Sequence, residues 1–239
     1  MSCRRILPDI LVAALFALPA LASTTGPGIS PDQALDMLRQ GNARFVSGQS
    51  QHPHQTLERL QETMTHGQKP FVTVLACSDS REPVELLFDQ GVGDVFVIRV
   101  AGNVADVDEV GSIEYGVGHL STPLLVVLGH THCGAVTAVA TGAEVGGSIP
   151  QLVDNIAPAV QRAEAQAHGL PQAVLVERAV RENVWQSIAD AFKRSEEIRH
   201  LVAAGKLKVV GAVYDLRSGM VRWLTPAPPT PCTADVRTM

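Results

Sequence analysis

Short apolar runs alternate with helical patterns through the middle of the chain. The apolar runs have the length and the continuous hydrophobicity of strands that are buried on both faces. They lie at residues 71–76, 94–99 and 123–128, and the helical patterns that follow them lie at 83–90, 108–119 and 134–141. Short connections between such segments are typical of parallel strands joined by right-handed crossovers. This region therefore predicts a mostly parallel sheet flanked by helices.

Helical patterns also precede and follow this alternating region. Ser30-Pro31-Asp32 predicts a helix start, with an N-cap residue, a proline at the first position and an early acid. The further segments are the rest of this helix up to Gly48, a helix at Thr56–His66, helical stretches at 150–168 (kinked or divided at Pro158) and 171–204, and a hairpin of Lys206–Tyr214 with Met220–Leu224. The expected fold is α/β: a central, mostly parallel β-sheet flanked by helices, a long N-terminal helical arm and a C-terminal β-hairpin.

Composition and charge narrow the class of protein. The chain has 239 residues, of which 46% are apolar and 18% charged, enough to bury one full core, so we expect a single domain at residues 23–225. The formal net charge is -5 and no block of basic residues occurs. Nucleic acid and an anionic membrane surface are therefore poor candidates for partners.

The first 22 residues have the pattern of an export signal. Arg4 and Arg5 precede an apolar run from Ile10 to Leu21, and Ala20-Leu21-Ala22 matches a cleavage site before Ser23. We expect a signal peptide at 1–22 and an exported, periplasmic protein that has no membrane partner once the signal is removed. An uncleaved, membrane-tethering helix is the alternative. At the other end, the Pro-rich residues 226–239 predict a disordered tail.

Two of the predicted strands end in residues that bind soft metal ions. Cys77 follows the first apolar run, and His130 and Cys133 follow the third. Two thiolates and an imidazole suit Zn²⁺ in tetrahedral geometry and leave a fourth position open. With Cys232 the expected mature chain has three cysteines, an odd number that makes a poor disulfide framework. A closed structural site, with Asp79 as a permanent fourth ligand, remains the alternative at this point.

Asp79 and Arg81 lie beside the first candidate ligand. They are two residues apart, so a charge-assisted pair within an extended segment is expected. An Asp held by an Arg stays ionised and accepts hydrogen bonds only. Next to a metal it can orient a hydroxide; away from one, the pair would only secure the loop.

These motifs together resemble the β-class carbonic anhydrases. The resemblance is carried by CSDSR at 77–81, by GHTHCG at 129–134, and by the flanking sequences GNARF, DVFVIRVAGNV, GSIEYGVGHL and YDLRSGMVRWL. It implies one Zn²⁺ per chain held by Cys77, His130 and Cys133, and an Asp79–Arg81 dyad beside it. It also implies a substrate pocket that includes Gln68, Phe96, Tyr115 and Gly134.

The resemblance further implies the plant-like, open-site branch of the family. The other branch carries a Trp three residues before the first cysteine, where this chain has Val74. The residue after Arg99 is Val100 where the family commonly has Asn, which puts the hydrogen bonding of that loop in doubt and leaves the metal site unaffected.

The activity implied by the resemblance is zinc-dependent interconversion of CO2 and bicarbonate by a homodimer or tetramer. Two alternatives stay open: a hydrolase of CS2 or COS on the same scaffold, and a non-catalytic periplasmic zinc-binding or thiol protein. A metal store would need neither Asp79, Arg81 nor Gln68, which favours the enzyme.

Overall fold

The computed structural model describes residues 26–166, 169 and 171–225. The expected signal peptide at 1–22, the expected tail at 226–239 and Cys232 lie outside them. The helices are α1 (Pro31–Val46), α2 (Leu57–His66), α3 (Val84–Leu87), α4 (Val107–Glu114), α5 (Gly134–Thr141), α6 (Ile149–Val153), α7 (Ala157–Gln166), α8 (Gln172–Arg194) and α9 (Glu196–Ala203). The strands are β1 (Val72–Ala76), β2 (Val95–Arg99), β3 (Leu124–His130), β4 (Lys208–Tyr214) and β5 (Val221–Trp223). Among the described residues, no helix combines the length and apolar character that crossing a bilayer requires.

The five strands form one sheet in the order β2-β1-β3-β4-β5. The first four are parallel, and β5 runs antiparallel to β4, with Ala212 aligned on Trp223. The mostly parallel sheet and the C-terminal hairpin predicted from the sequence are thus confirmed. Every residue of β1 and β3 is buried, because helices cover both faces of the sheet.

The sheet has an apolar core on each face. One face packs on α1 and α3 through residues such as Leu38, Leu87 and Phe88, all with no exposed surface. The other is covered mainly by α4, α5, α7, α8 and α9. Burying a side chain of this size contributes about 1.5–3 kcal/mol, so these two layers hold the sheet in place.

The N-terminal helix is fixed by its cap and by one buried amide. Ser30 and Gln33 form a reciprocal capping box, as the Ser-Pro-Asp start suggested. Asn42 is 7% exposed and donates to the carbonyls of Leu87 and Gly219, while its Oδ1 accepts from the amide of Val221. One side chain therefore connects α1 to both the α3 segment and the hairpin.

Three helical predictions differ from the structure. The stretch 83–90 is helical only at 84–87, and 108–119 changes to a π-helical turn at Tyr115–His119. There Gly116 lies so close to Thr73 that a Cβ would overlap its hydroxyl. The stretch 171–204 is two helices, because Ser195 leaves helical geometry, caps Ile198 and donates to Glu114 at 2.6 Å.

Candidate metal centre

The candidate ligands lie where the strand order of the sheet reverses. From β1 the chain crosses to β2 on one side and then to β3 on the other, so a crevice forms at the carboxyl ends of β1 and β3. Cys77 follows the last residue of β1, and His130 is the last residue of β3. Cys133 is the N-cap of α5, three residues further on. The topology thus brings together residues 53 and 56 positions apart in the sequence.

The three side chains form a compact group that fits a metal ion. One sulfur or nitrogen atom from each of Cys77, His130 and Cys133 lies within 4.8 Å of the other two. The residues are 4%, 0% and 1% exposed, and the two cysteines are free thiols. The Nδ1 atom of His130 is 2.9 Å from the carbonyl of Thr131, so Nδ1 carries the proton. Its Nε2 is buried without a hydrogen-bond partner among the described residues and is left to bind a metal.

The surroundings of the sulfur atoms favour a thiolate. The hydrogen bond from the Cys133 thiol lowers the pKa of Cys77 to about 4. The backbone amide of Gly102 also donates to the Cys77 sulfur, at 3.2 Å. The hydrogen bond between the two cysteines raises the pKa of Cys133, the donor, although amides at the start of α5 oppose the rise. A dication bound between the two sulfurs would remove the competition for the proton, as zinc does in thiolate sites.

Asp79 and Arg81 form the expected ion pair. Arg81 Nε and Nη2 donate to the two carboxylate oxygens of Asp79 at 2.9 and 2.7 Å, a bidentate arrangement. The segment is a turn rather than extended, since the amide of Glu82 donates to the carbonyl of Asp79. These hydrogen bonds hold the pKa of Asp79 well below its usual range. Its Oδ2 lies 3.8 Å from His130 Nε2, next to the ligand group.

Arg99 is a supporting residue that the sequence analysis did not single out. It ends β2, at the same edge of the sheet as Cys77. Its guanidinium donates to the carbonyls of Cys77 at 3.0 Å and Asp79 at 2.6 Å. The position of a charged residue at a carboxyl strand end was a usable signal for this role. The backbone that carries Cys77 and Asp79 is therefore held by a side chain from the neighbouring strand.

Glu82 is a second residue that the sequence did not reveal. Its side chain has no exposed surface, and its Oε2 accepts from the amide of Cys77 at 2.9 Å. Its Oε1 has no hydrogen-bond partner among the described residues. Burial raises the pKa of Glu82 to about 8. No pattern distinguishes this carboxylate in the sequence, since Glu82 and Glu85 both lie close to the start of α3.

The expected pocket residues separate into two groups within one chain. Gly134 begins α5 beside Cys133. Gln68 and Tyr115 instead line a cavity of about 490 Å³, whose lining includes none of the candidate ligands. Phe96 packs its ring 5.7 Å from Tyr115 and is aligned with Thr73, four residues before Cys77. At about 3.3 Å per residue, these side chains start roughly 13 Å from the first cysteine.

The comparisons with known sequences point to one family. A family model described as carbonic anhydrase matches residues 72–221. Carbonic anhydrase 2 of Mycobacterium tuberculosis is 40% identical over 197 residues, which cover 81% of this chain and 92% of the relative. The carbonic anhydrase of Mycolicibacterium smegmatis is 40% identical over 199 residues, with 82% and 94% covered.

Solved structures give the class. The β-carbonic anhydrase CafA of Aspergillus fumigatus superposes with a TM-score of 0.66 at 29% identity, over 83% of this chain and 92% of that one. A tetrameric β-carbonic anhydrase from Sordaria macrospora gives a TM-score of 0.64 at 25% identity, over 81% of this chain and 97% of that one. The chain therefore belongs to the β-carbonic anhydrase family of enzymes. This confirms the resemblance recognised from CSDSR and GHTHCG.

Proposed function

We propose that the chain is a zinc enzyme that interconverts CO2 and bicarbonate. The observation that carries the proposal is the buried group of Cys77, His130 and Cys133 with the Asp79–Arg81 pair beside it. The two thiols, together with an imidazole whose Nε2 has no hydrogen-bond partner among the described residues, fit Zn²⁺, and three protein ligands would leave a fourth coordination position for water or substrate. A bound Zn²⁺ supplies Lewis acidity that makes water a nucleophile near neutral pH, a role for which carbonic anhydrases are the reference example.

Asp79 is proposed to orient the nucleophile. Because Arg81 keeps its carboxylate ionised, Asp79 can only accept a hydrogen bond, so a hydroxyl beside it donates its proton to Oδ2 and turns a lone pair towards CO2. The same contact disfavours binding of groups that have no proton to donate. Arg81 thus acts by fixing Asp79, and its own side chain is 56% exposed.

The geometry also supports the open-site branch. Both Asp79 oxygens are engaged by Arg81, and Asp79 is not part of the group of atoms that lie within 4.8 Å of one another. Val74 on β1 is fully buried in the core, where the other branch carries Trp. We propose that Asp79 stays paired with Arg81 at neutral pH, so CO2 hydration persists down to pH 7.

A second subunit is proposed to complete the pocket. Gln68, Phe96 and Tyr115 lie away from the metal centre of their own chain, and the helix that precedes Gln68 has no buried residue. Its Leu57, Leu60 and Met64 are 73%, 51% and 78% exposed. Apolar side chains presented together in this way mark a protein interface. A homodimer, or a tetramer built from dimers, would cover α2 and bring these residues to the partner's metal centre.

The oligomer proposal is tested with Met64→Glu, which places a charge on the exposed apolar side of α2. We expect sedimentation to show a smaller species than the wild type and CO2 hydration to fall with it. Met220→Glu, the same substitution at a 51% exposed position of the C-terminal hairpin, is the matched control. An active monomer of the wild-type protein would refute the proposal.

We further propose that the chain is exported to a periplasm and cleaved after Ala22. Support comes from the basic, apolar and A-x-A segments at residues 4–22. Bicarbonate is an ion that crosses a bilayer poorly, so an enzyme outside the inner membrane would control which form of carbon enters. Cell fractionation followed by N-terminal sequencing tests this. A chain that retains Met1 in the cytosolic fraction would contradict it.

The choice between CO2 and the sulfur-containing substrates requires a direct comparison. On one zinc-loaded preparation, we expect hydration of CO2 to exceed hydrolysis of COS and CS2 by at least a hundredfold. Equal or faster turnover of CS2 or COS would transfer the proposal to the hydrolase. If no substrate is turned over by fully zinc-loaded protein, a binding role becomes the better account.

A further inference from the structure

A cavity of about 390 Å³ lies behind the segment that joins His130 to Cys133. Its walls come from Thr131 and His132, from the first turns of α8, and from the C-terminal hairpin. Val180 and Val213, both buried, form part of its apolar surface together with Leu224. A volume of this size is within the range of sites that hold small organic ligands. None of the three candidate metal ligands lines it.

The rim of this cavity carries more positive than negative charge. Its charged side chains are Glu177, Arg181, Asp215, Arg217 and Arg222. Arg222 donates to Asp215 at 3.0 Å, so one arginine and one acid are paired. The guanidinium groups of Arg181 and Arg217 have no carboxylate within 4.0 Å among the described residues, and the charge of Arg217 acts on Asp215 only from a greater distance. Two guanidinium groups therefore remain available at the opening of an apolar cavity.

This combination selects a definite kind of ligand. A guanidinium group is weakly hydrated and matches the two oxygens of a carboxylate with two parallel hydrogen bonds. Burial of a hydrocarbon or aromatic group against the apolar wall is favourable, whereas a small inorganic ion has no apolar surface to bury there. We propose that the cavity binds a small organic carboxylate, with its carboxylate between Arg181 and Arg217 and its apolar body against Val180 and Val213.

The cavity shares a wall with the metal centre. The carbonyl of Thr131 accepts from His130 Nδ1, and the carbonyl of His132 lies 3.4 Å from Arg81 Nη2. The Thr131 hydroxyl accepts from the amide of Leu216 on the hairpin. A small molecule in the cavity would therefore contact the peptide segment that positions both His130, a candidate metal ligand, and the Asp79–Arg81 pair. Binding there is separate from the proposed CO2 reaction and does not depend on it.

The test uses 2-naphthoate as the probe and the zinc-loaded protein, with calorimetric titration as the measurement. The double variant with Arg181→Gln and Arg217→Gln should bind 2-naphthoate at least tenfold more weakly than the wild type does. The neutral analogue 2-naphthamide should bind the wild type more weakly than 2-naphthoate by a similar factor. Arg178→Gln, which changes the same helix outside the cavity, should bind as the wild type does. Thermal unfolding confirms that each variant folds.

Carboxylates also coordinate metals, so the titration is repeated in excess azide, a metal-binding anion with no apolar body. Naphthoate affinity that stays within threefold in azide places the probe away from the metal and supports the proposal. The proposal is overturned if wild-type protein shows no binding at millimolar probe, if the double variant binds within threefold of wild type, or if azide displaces the probe.

Discussion

Replacing Glu82 by Gln should make the metal-free protein more stable at alkaline pH, because Gln has no carboxyl group that must ionise in a buried position. Glu82 has no exposed surface, and burial raises its pKa to about 8 from an ordinary value of 4.5. Between these pH values the folded protein holds a proton that the unfolded chain has released. Stability from this group is therefore complete below pH 4.5 and is lost as the pH rises through 8.

The size of the effect follows from the interval between the two pKa values. Each pH unit in that interval lowers the free energy of unfolding by up to about 1.4 kcal/mol, so the whole interval accounts for roughly 4–5 kcal/mol. Gln keeps an oxygen that can accept from the amide of Cys77, and its N–H groups replace the O–H group of the protonated acid, which also has no partner among the described residues. At pH 5 the stability of the variant should therefore lie within about 1 kcal/mol of that of the wild type. At pH 9 the variant should be more stable by several kcal/mol, so the two stability curves diverge as the pH rises.

The assay is urea unfolding at fixed protein concentration between pH 5 and 9, with chelator and a reducing agent present. Comparing variant with wild type removes most of the opposing contribution from Cys77, whose lowered pKa stabilises the fold as the pH rises. Glu85→Gln, at an exposed position three residues away, is the control and should follow the wild type. If the free energies of unfolding of Glu82→Gln and the wild type change in parallel between pH 5 and 9, the reasoning is refuted.

Three further predictions concern the site and the fold. Arg81→Gln should keep its zinc but lower the rate of CO2 hydration by about 10- to 100-fold, because Asp79 loses its orientation; an unchanged rate in stopped flow would contradict the role of the pair. Cys133→Ser should bind less than a tenth of the wild-type zinc by elemental analysis, and full zinc content would remove Cys133 from the ligand set. Gly41→Ala should lower the free energy of unfolding by about 3 kcal/mol, since its Cβ would overlap the carbonyl oxygen of Phe88. Denaturation midpoints equal to wild type would show that α1 can move away.

The sequence predicted the sheet because its strands are short, continuous apolar runs with a ligand or charged residue at the carboxyl end. It also predicted that Cys77, His130 and Cys133 converge, since parallel strands place their carboxyl ends at one edge. The helix boundaries were less accessible. The break at Ser195 depends on a hydrogen bond to Glu114, 81 residues earlier, and the π-helical turn depends on contact between Gly116 and Thr73.

Long-range placement also explains what the sequence analysis of the site missed. Glu82 and Arg99 matter because of the backbone atoms they contact, and neither contact follows a local pattern. Gln68, Phe96 and Tyr115 were expected in one pocket with the metal, yet the chain places them at the other end of β1. A sequence contains no direct record of which residues a second subunit would supply, so their roles stay predictions.

The central proposal is that this chain hydrates CO2 with a zinc ion held by Cys77, His130 and Cys133. Stopped-flow CO2 hydration by the purified protein at about pH 7 and about pH 8.5, with zinc measured on the same sample, tests it most directly. We predict close to one zinc per chain and rapid hydration at both pH values, with the faster rate at the higher pH. One zinc per chain without CO2 hydration at either pH would contradict the account.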